Sequence, residues 1–181
     1  MRPDLDHWIQ KPGLRVAHRR ESRAGGERLW REARAVKLGE TGLLGRLVRW
    51  RIPGTTADMT FDELFRQPPF IVLEQGPSAV VSGLVGRIWT IRRDYPRLGK
   101  PEEFRGWERP GTARVLFAHW VEAARGGHSA LVSEARVEAI GVQGRLGVRA
   151  VRPLVATFQH LVASEGIQTA VRRAEQRGRE E

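Results

Sequence analysis

Two neighbouring runs decide the fold: ARVLFAHWVEA (113–123) and SALVSEARVEAI (129–140). In the first, Val115, Phe117, His119 and Val121 share one parity, while Arg114 and Glu122 take the other. In the second, Glu134, Arg136 and Glu138 alternate with Ser133, Ala135 and Val137. A period of two is the mark of a strand, because successive side chains leave opposite faces. The residues between, Ala124-Arg125-Gly126-Gly127-His128, are short and carry glycine, as a hairpin loop does. The pair therefore predicts antiparallel strands in a sheet with one dry face and one wet face.

On the C-terminal side the period changes. Residues 143–178 repeat at helical spacing: Ala150, Leu154, Phe158 and Leu161 form one stripe, Val151, Val155 and Val162 flank it, and Ile167, Ala170, Val171 and Ala174 continue it. Pro153 lacks an N–H, so it either kinks this helix or marks its start. The charged end, RRAEQRGREE, is expected to fray. On the N-terminal side, residues 92–112 hold Pro96, Pro101 and Pro110 and read as a long loop with a turn of helix at 101–105. Before it, Phe70–Glu74 and Ala79–Ile91 are β-type runs parted by Gly76-Pro77, a hairpin. Thr60 with Glu63 has the capping-box form at the start of a short helix, 60–67. Two short helices are expected at 27–37 and 43–52, after a first strand at 14–23.

This order is a strand, two short helices, a meander and one long amphipathic helix. It predicts an α+β fold: a curved antiparallel sheet of six or seven strands wrapped around the C-terminal helix, often with unfilled space between them. The segments GLVGRIW (83–89), PEEFRGWERPGTAR (101–114), ALVSEARV (130–137) and RPLVATFQHL (152–161) resemble a bacterial branch of the START-like, or SRPBCC, helix-grip superfamily, which includes polyketide cyclases and lipid-transfer domains. The resemblance spans about Phe61 to Ala174, and more weakly Leu14 to Ile52. It implies one domain over 1–181, with its core from about 14 to 175. It implies no particular activity, because that superfamily spans transfer, binding and catalysis.

The 181 residues match one domain at the usual ~150 residues each. There is no cysteine, which excludes disulfides, thiolate nucleophiles and iron–sulfur clusters. The formal charge is +10, and 28 of the 31 basic residues are arginine. Residues 1–57 carry a net +7, residues 58–138 are balanced and residues 139–181 carry +3. Arginine forks onto phosphate, which suggests nucleic acid; the alternative is a compositional bias, with the charge spread over the surface. No Lys/Arg tract is present, so nucleic acid is not the expected partner. The N-terminus, MRPDLDHWIQ, has early charges and no apolar stretch, and no run is long enough to span a membrane. A cytoplasmic protein is the expectation.

Catalytic motifs are missing. The five histidines show no HxH or HExxH spacing, so no metal is expected, and no cofactor is implied. No GxSxG occurs; the nearest stretch, QGPSA (75–79), lacks the second glycine. Gly83 and Gly86 lie in a strand pattern, where glycine permits curvature or close packing rather than binding phosphate. The candidate ligand-binding residues are Trp50, Arg87, Trp89, Trp107, Phe117, His119, Ser133 and Phe158. His119, on the apolar parity, either meets a ligand or is a core histidine satisfied by neighbours. Arg87, if concave with Val85 and Trp89, is a buried cation needing an anion; if convex, it is solvated. The tryptophans suit a cavity wall or a core equally well. The leading expectation is the binding of a small hydrophobic molecule between sheet and helix. The alternatives are a cyclase or dehydratase using a cavity histidine, and an electrostatic binder of nucleic acid or acidic surfaces. Whether there is catalysis, and the oligomeric state, stay open.

Overall fold

A computed structural model describes residues 2–92 and 95–177, apart from the side chains of Leu154, Ala156 and Gln159. The part of the expected stripe at Leu154 and the last residues of the charged tail thus lie outside the described residues. Five strands form one antiparallel sheet: β1 (Leu14–Ser22), β2 (Ile71–Gly76), β3 (Ala79–Gly86), β4 (Thr112–Ala123) and β5 (Ser129–Ile140), in the spatial order β1-β5-β4-β3-β2. The helices are α1 (Gly26–Ala35), α2 (Gly42–Arg51), α3 (Phe61–Leu64), α4 (Pro101–Arg105), α5 (Gly141–Leu161) and α6 (Gln168–Arg177). A π-helical segment, Val162–Ile167, joins the last two.

The α+β class and the long C-terminal helical run agree with the sequence, but the sheet has five strands rather than six or seven. The β-type run from Ala79 stops at Gly86, whose φ of 144° turns the chain out of the sheet. The residues beyond it form no further strand until Thr112 among those described. The β4–β5 hairpin is in the expected register, with Phe117 opposite Ala135 and His119 opposite Ser133. Thr60 and Glu63 close the capping box: Glu63 N–H donates to Thr60 Oγ1 (3.2 Å), and Thr60 N–H donates to Glu63 Oε2 (2.8 Å).

The concave face carries Leu84, Val115, Phe117, His119, Ser133, Ala135 and Val137 towards α5 and α2. The opposite face is not wet. Leu73, Val81, Val85, Leu116, Ala118, Trp120 and Val132 pack there against Leu5, Trp8, Ile9 and Phe104. The N-terminal segment and α4 thus cover the convex side, and the core begins before residue 14: Ile9 and Phe104 have no exposure.

The alternating charges of β5 are buried as well. Glu134 is 1% exposed and Arg136 4%. Arg136 stands directly opposite Arg15 across β1 and β5, a like-charge pairing that by itself opposes the sheet. Glu134 resolves it. Its carboxylate accepts from Arg15 Nε (2.8 Å) and from Arg136 Nε (2.7 Å). The Arg136 guanidinium also donates to Ile9 O (2.7 Å) and Asp6 Oδ1 (2.5 Å), which ties down the N-terminal segment. Burial works to raise the Glu134 pKa, and the hydrogen bonds from Arg15 and Arg136 outweigh it, so the net shift is downward.

Removing one member of a buried ion cluster strands the others. Glu134→Ala is expected to lower unfolding stability by about 3 kcal/mol, read from urea denaturation at pH 7. A loss below about 1 kcal/mol would show that this cluster is not what closes the convex face.

Candidate ligand cavity

Between the concave face, α2 and α5 lies a cavity of about 180 Å³. Its floor is the sheet: Leu84 from β3, Val115 and Phe117 from β4, and Ser133, Ala135 and Val137 from β5. Its side walls are Phe61, Leu64, Phe65 and Phe70 from α3 and the loop after it. Val155, Phe158 and Val162 form the roof. The rings of Phe65, Phe70 and Phe117 sit 5.1–5.9 Å apart, in the tilted and edge-on contacts that aromatic rings favour. A smaller pocket of about 60 Å³ adjoins it and shares Phe61, Phe65, His119 and Val162.

The mouth is made by α2 and the loop after β3. Trp50 is 58% exposed there. Arg51 donates from Nη2 to Ile88 O (3.2 Å), and its guanidinium lies 5.0 Å from the centre of the Tyr95 ring. The position of α2 is set from the roof. Glu165, in the π-helical segment, accepts from Leu43 N–H (3.2 Å) and Leu44 N–H (2.9 Å) at the start of α2, where a carboxylate also suits the helix dipole.

Of the eight sequence candidates, five line this cavity: Trp50, Phe117, His119, Ser133 and Phe158. Three do not. Arg87 is exposed beyond the end of β3, so the parity argument that placed it lapses at Gly86. Trp89 packs beside Gly147 of α5, where a Cβ would collide with its ring. Trp107 flanks the convex cluster, and its Nε1–H donates to Thr112 Oγ1 (2.9 Å). The sequence reading missed Arg51 and the Phe65/Phe70 wall. Helical spacing could have found Arg51, since it lies four residues after Leu47, another lining residue. The phenylalanines lie where a loop meets a strand end, and periodicity has no purchase there.

Three polar side chains stand in one row across the concave face, two of which, His119 and Ser133, line the cavity. Ser133 on β5 stands opposite His18 on β1 and His119 on β4. The Nε2 atoms of both histidines, and Oγ of Ser82, are buried without a hydrogen-bond partner among the described residues. His119 sits with its ring 4.8 Å from that of Phe65, and burial pushes its pKa down to about 4. It is therefore a neutral imidazole at physiological pH. The pKa of His18 is lowered too, by burial first and then by His160. Among the described residues no group of side chains has the makings of a metal site, and no helix is long and apolar enough to cross a membrane.

No family model and no curated protein matches the chain. Among solved structures, a hypothetical protein from Helicobacter pylori is similar over 96% of this chain and 95% of its own, at 9% identity and a TM-score of 0.45. A Thermus thermophilus protein is similar over 91% of this chain and 99% of its own, at 14% identity and a TM-score of 0.35. The Aha1 dimer from Colwellia psychrerythraea is similar over 84% of this chain and 96% of its own, at 13% identity and a TM-score of 0.31. At these values the likenesses carry no argument about function.

The histidine on the floor has a measurable signature. Its folded pKa lies below the unfolded value, so above about pH 6.5 both states are neutral and nothing is lost. As pH falls through 6.5 towards 4, the unfolded chain takes up the proton first, and stability drops by about 1.4 kcal/mol per pH unit. Between pH 7.5 and 5 the native chain should lose about 2 kcal/mol more than His119→Phe does, by urea denaturation. Parallel losses in the two proteins would refute the depressed pKa.

Proposed function

We propose that this chain is a helix-grip protein of the START-like type that binds a small hydrophobic molecule between its sheet and its C-terminal helix. The observation that carries the reading is the 180 Å³ cavity, walled by phenylalanines and aliphatic side chains and reached past Trp50 and Arg51. An apolar cavity of about 150 Å³ can stay dry and take up a benzene-sized molecule. Such space is costly to leave empty, because its lining loses dispersion contacts that a ligand restores.

The chemistry of the floor favours binding over turnover. A general acid or base works best with a pKa near the operating pH. His119, at about 4, is too weak a base for that and holds no proton to give as an imidazolium. It offers a neutral hydrogen-bonding group instead. Eight of the 28 arginines, which suggested phosphate, are engaged with carboxylates among the described residues: Arg15, Arg19, Arg34, Arg66, Arg114, Arg136, Arg173 and Arg177 all form ion pairs.

Filling the cavity should abolish binding without harming the fold. Ala135 is 3% exposed at the centre of the floor, opposite Phe117. Ala135→Leu projects an isobutyl group into the open space. It is expected to weaken an apolar fluorescent probe by tenfold or more while the melting temperature holds or rises. Unchanged probe affinity with a native melt would overturn the cavity as the binding site.

A further inference from the structure

We infer that the cavity selects an amphiphilic anion: a molecule whose apolar body enters the cavity while its carboxylate, or an equivalent oxyanion, is held at the mouth by Arg51. This rests on the cavity being the binding site and specifies the chemistry of what it takes.

Among the described lining residues, Arg51 is the sole permanent cation, and no aspartate or glutamate joins it. Asp62 borders the smaller pocket instead, where its carboxylate is shared by Arg34 and Arg66 at 2.9–3.0 Å. Arg51 differs from those arginines. No carboxylate among the described residues makes an ion pair with it; its contacts are the carbonyl of Ile88 and the face of Tyr95. A guanidinium has five N–H donors in a planar fork. One donor goes to Ile88, and the ring stack orients the plane without using the others.

Half-buried position matters here. A cation at the edge of an apolar space is less well hydrated than one on an open surface, so an oxyanion that reaches it gains a charge-assisted contact, and the fork geometry permits a bidentate one. The same setting rejects an ammonium head by like-charge repulsion and gives an alcohol only a neutral hydrogen bond. Leu47 and Trp50 flank Arg51 on α2, so a chain of a few carbons below the anion runs directly into the apolar interior. The geometry orients the ligand with its head at the mouth and its body towards Phe65 and Phe117.

Three probes with one body isolate the head group: 3-phenylpropanoate, 3-phenylpropan-1-ol and 3-phenylpropylammonium. Each is titrated by NMR into the full chain at pH 7.5. The carboxylate is expected to bind about tenfold more tightly than the alcohol, and the ammonium more weakly than either. In Arg51→Gln the advantage of the carboxylate over the alcohol should vanish, through loss of carboxylate affinity. Arg51→Lys keeps a charge without the fork and should retain a reduced preference; it also serves if the glutamine variant does not fold. Equal binding of carboxylate and alcohol by the native chain would overturn the anion selectivity and leave the hydrophobic cavity standing. A preference that survives in Arg51→Gln would remove Arg51 from the role. Binding of none of the three would overturn the cavity reading, and this inference with it.

Discussion

A five-stranded sheet is wider than a helix. Strands spaced ~4.8 Å apart make a sheet roughly 19 Å across, whereas one helix with its side chains is only about 10 Å wide. The concave face therefore cannot be filled by α5 alone. Helix α6 and the π-helical segment shift the cover towards β1 and pack with α1, burying Leu29, Ile167, Ala170 and Ala174 together. Helices α2 and α3 fill in from the other side. What they leave between them is the cavity. The convex face has no such problem, because the short N-terminal segment and α4 lie flat on it and pack it with Trp8, Ile9 and Phe104.

Holding those covers in place is the work of arginine. The recurring unit is a carboxylate shared by two guanidinium groups, at least one of them from a distant part of the chain. Glu134 joins Arg15 and Arg136, linking β1 to β5. Glu32, fully buried in α1, meets Arg173 and Arg177 of α6. Asp62 joins Arg34 of α1 to Arg66 after α3. A single buried ion pair is weak evidence for stability, since desolvation offsets attraction. A second cation adds attraction to each carboxylate and satisfies more lone pairs at Glu134 and Asp62, whereas Glu32 Oε2 accepts no hydrogen bond among the described residues. With Asp6 on Arg136 and Glu40 on Arg173, the three clusters hold six arginines and five carboxylates, so the net charge of +10 comes almost wholly from residues outside them.

Much of the fold was legible because its signals are local. The hairpin of β4 and β5, the short helix at 101–105 and the capping box at Thr60 all follow from spacing within a dozen residues. So did the facing of Phe117, His119 and Ser133, since strand parity is local too. Most of the failures depend on a distant segment, and Arg87 on where its own strand stops. Nothing within β5 says that residues 5–9 will cover Glu134 and Arg136, so an alternating charged strand read as wet. The parity that would place Arg87 on the concave face holds only while the strand lasts, and Gly86 ends it. Trp89 and Trp107 looked like cavity wall because aromatics serve walls and cores alike, and only packing against Gly147 or Thr112 distinguishes the two.

The cavity's walls and its mouth are built to different strengths, and that difference bears on how a ligand enters. The floor is part of a continuous hydrogen-bonded sheet, backed on its far side by the buried cluster around Glu134. The contacts at the mouth include a hydrogen bond from Arg51 to Ile88 and a cation–π contact between Arg51 and Tyr95. Each of these is worth about 1 kcal/mol. These two contacts give way more readily than the hydrogen-bonded ladder of the floor. The group that closes the mouth is also the one charged group lining the space among the described residues, so a ligand that engages Arg51 replaces part of what it displaces. Shape is set by the rigid floor and chemical selection by the soft edge, which is the division of labour expected of a binding cavity that must open to be filled.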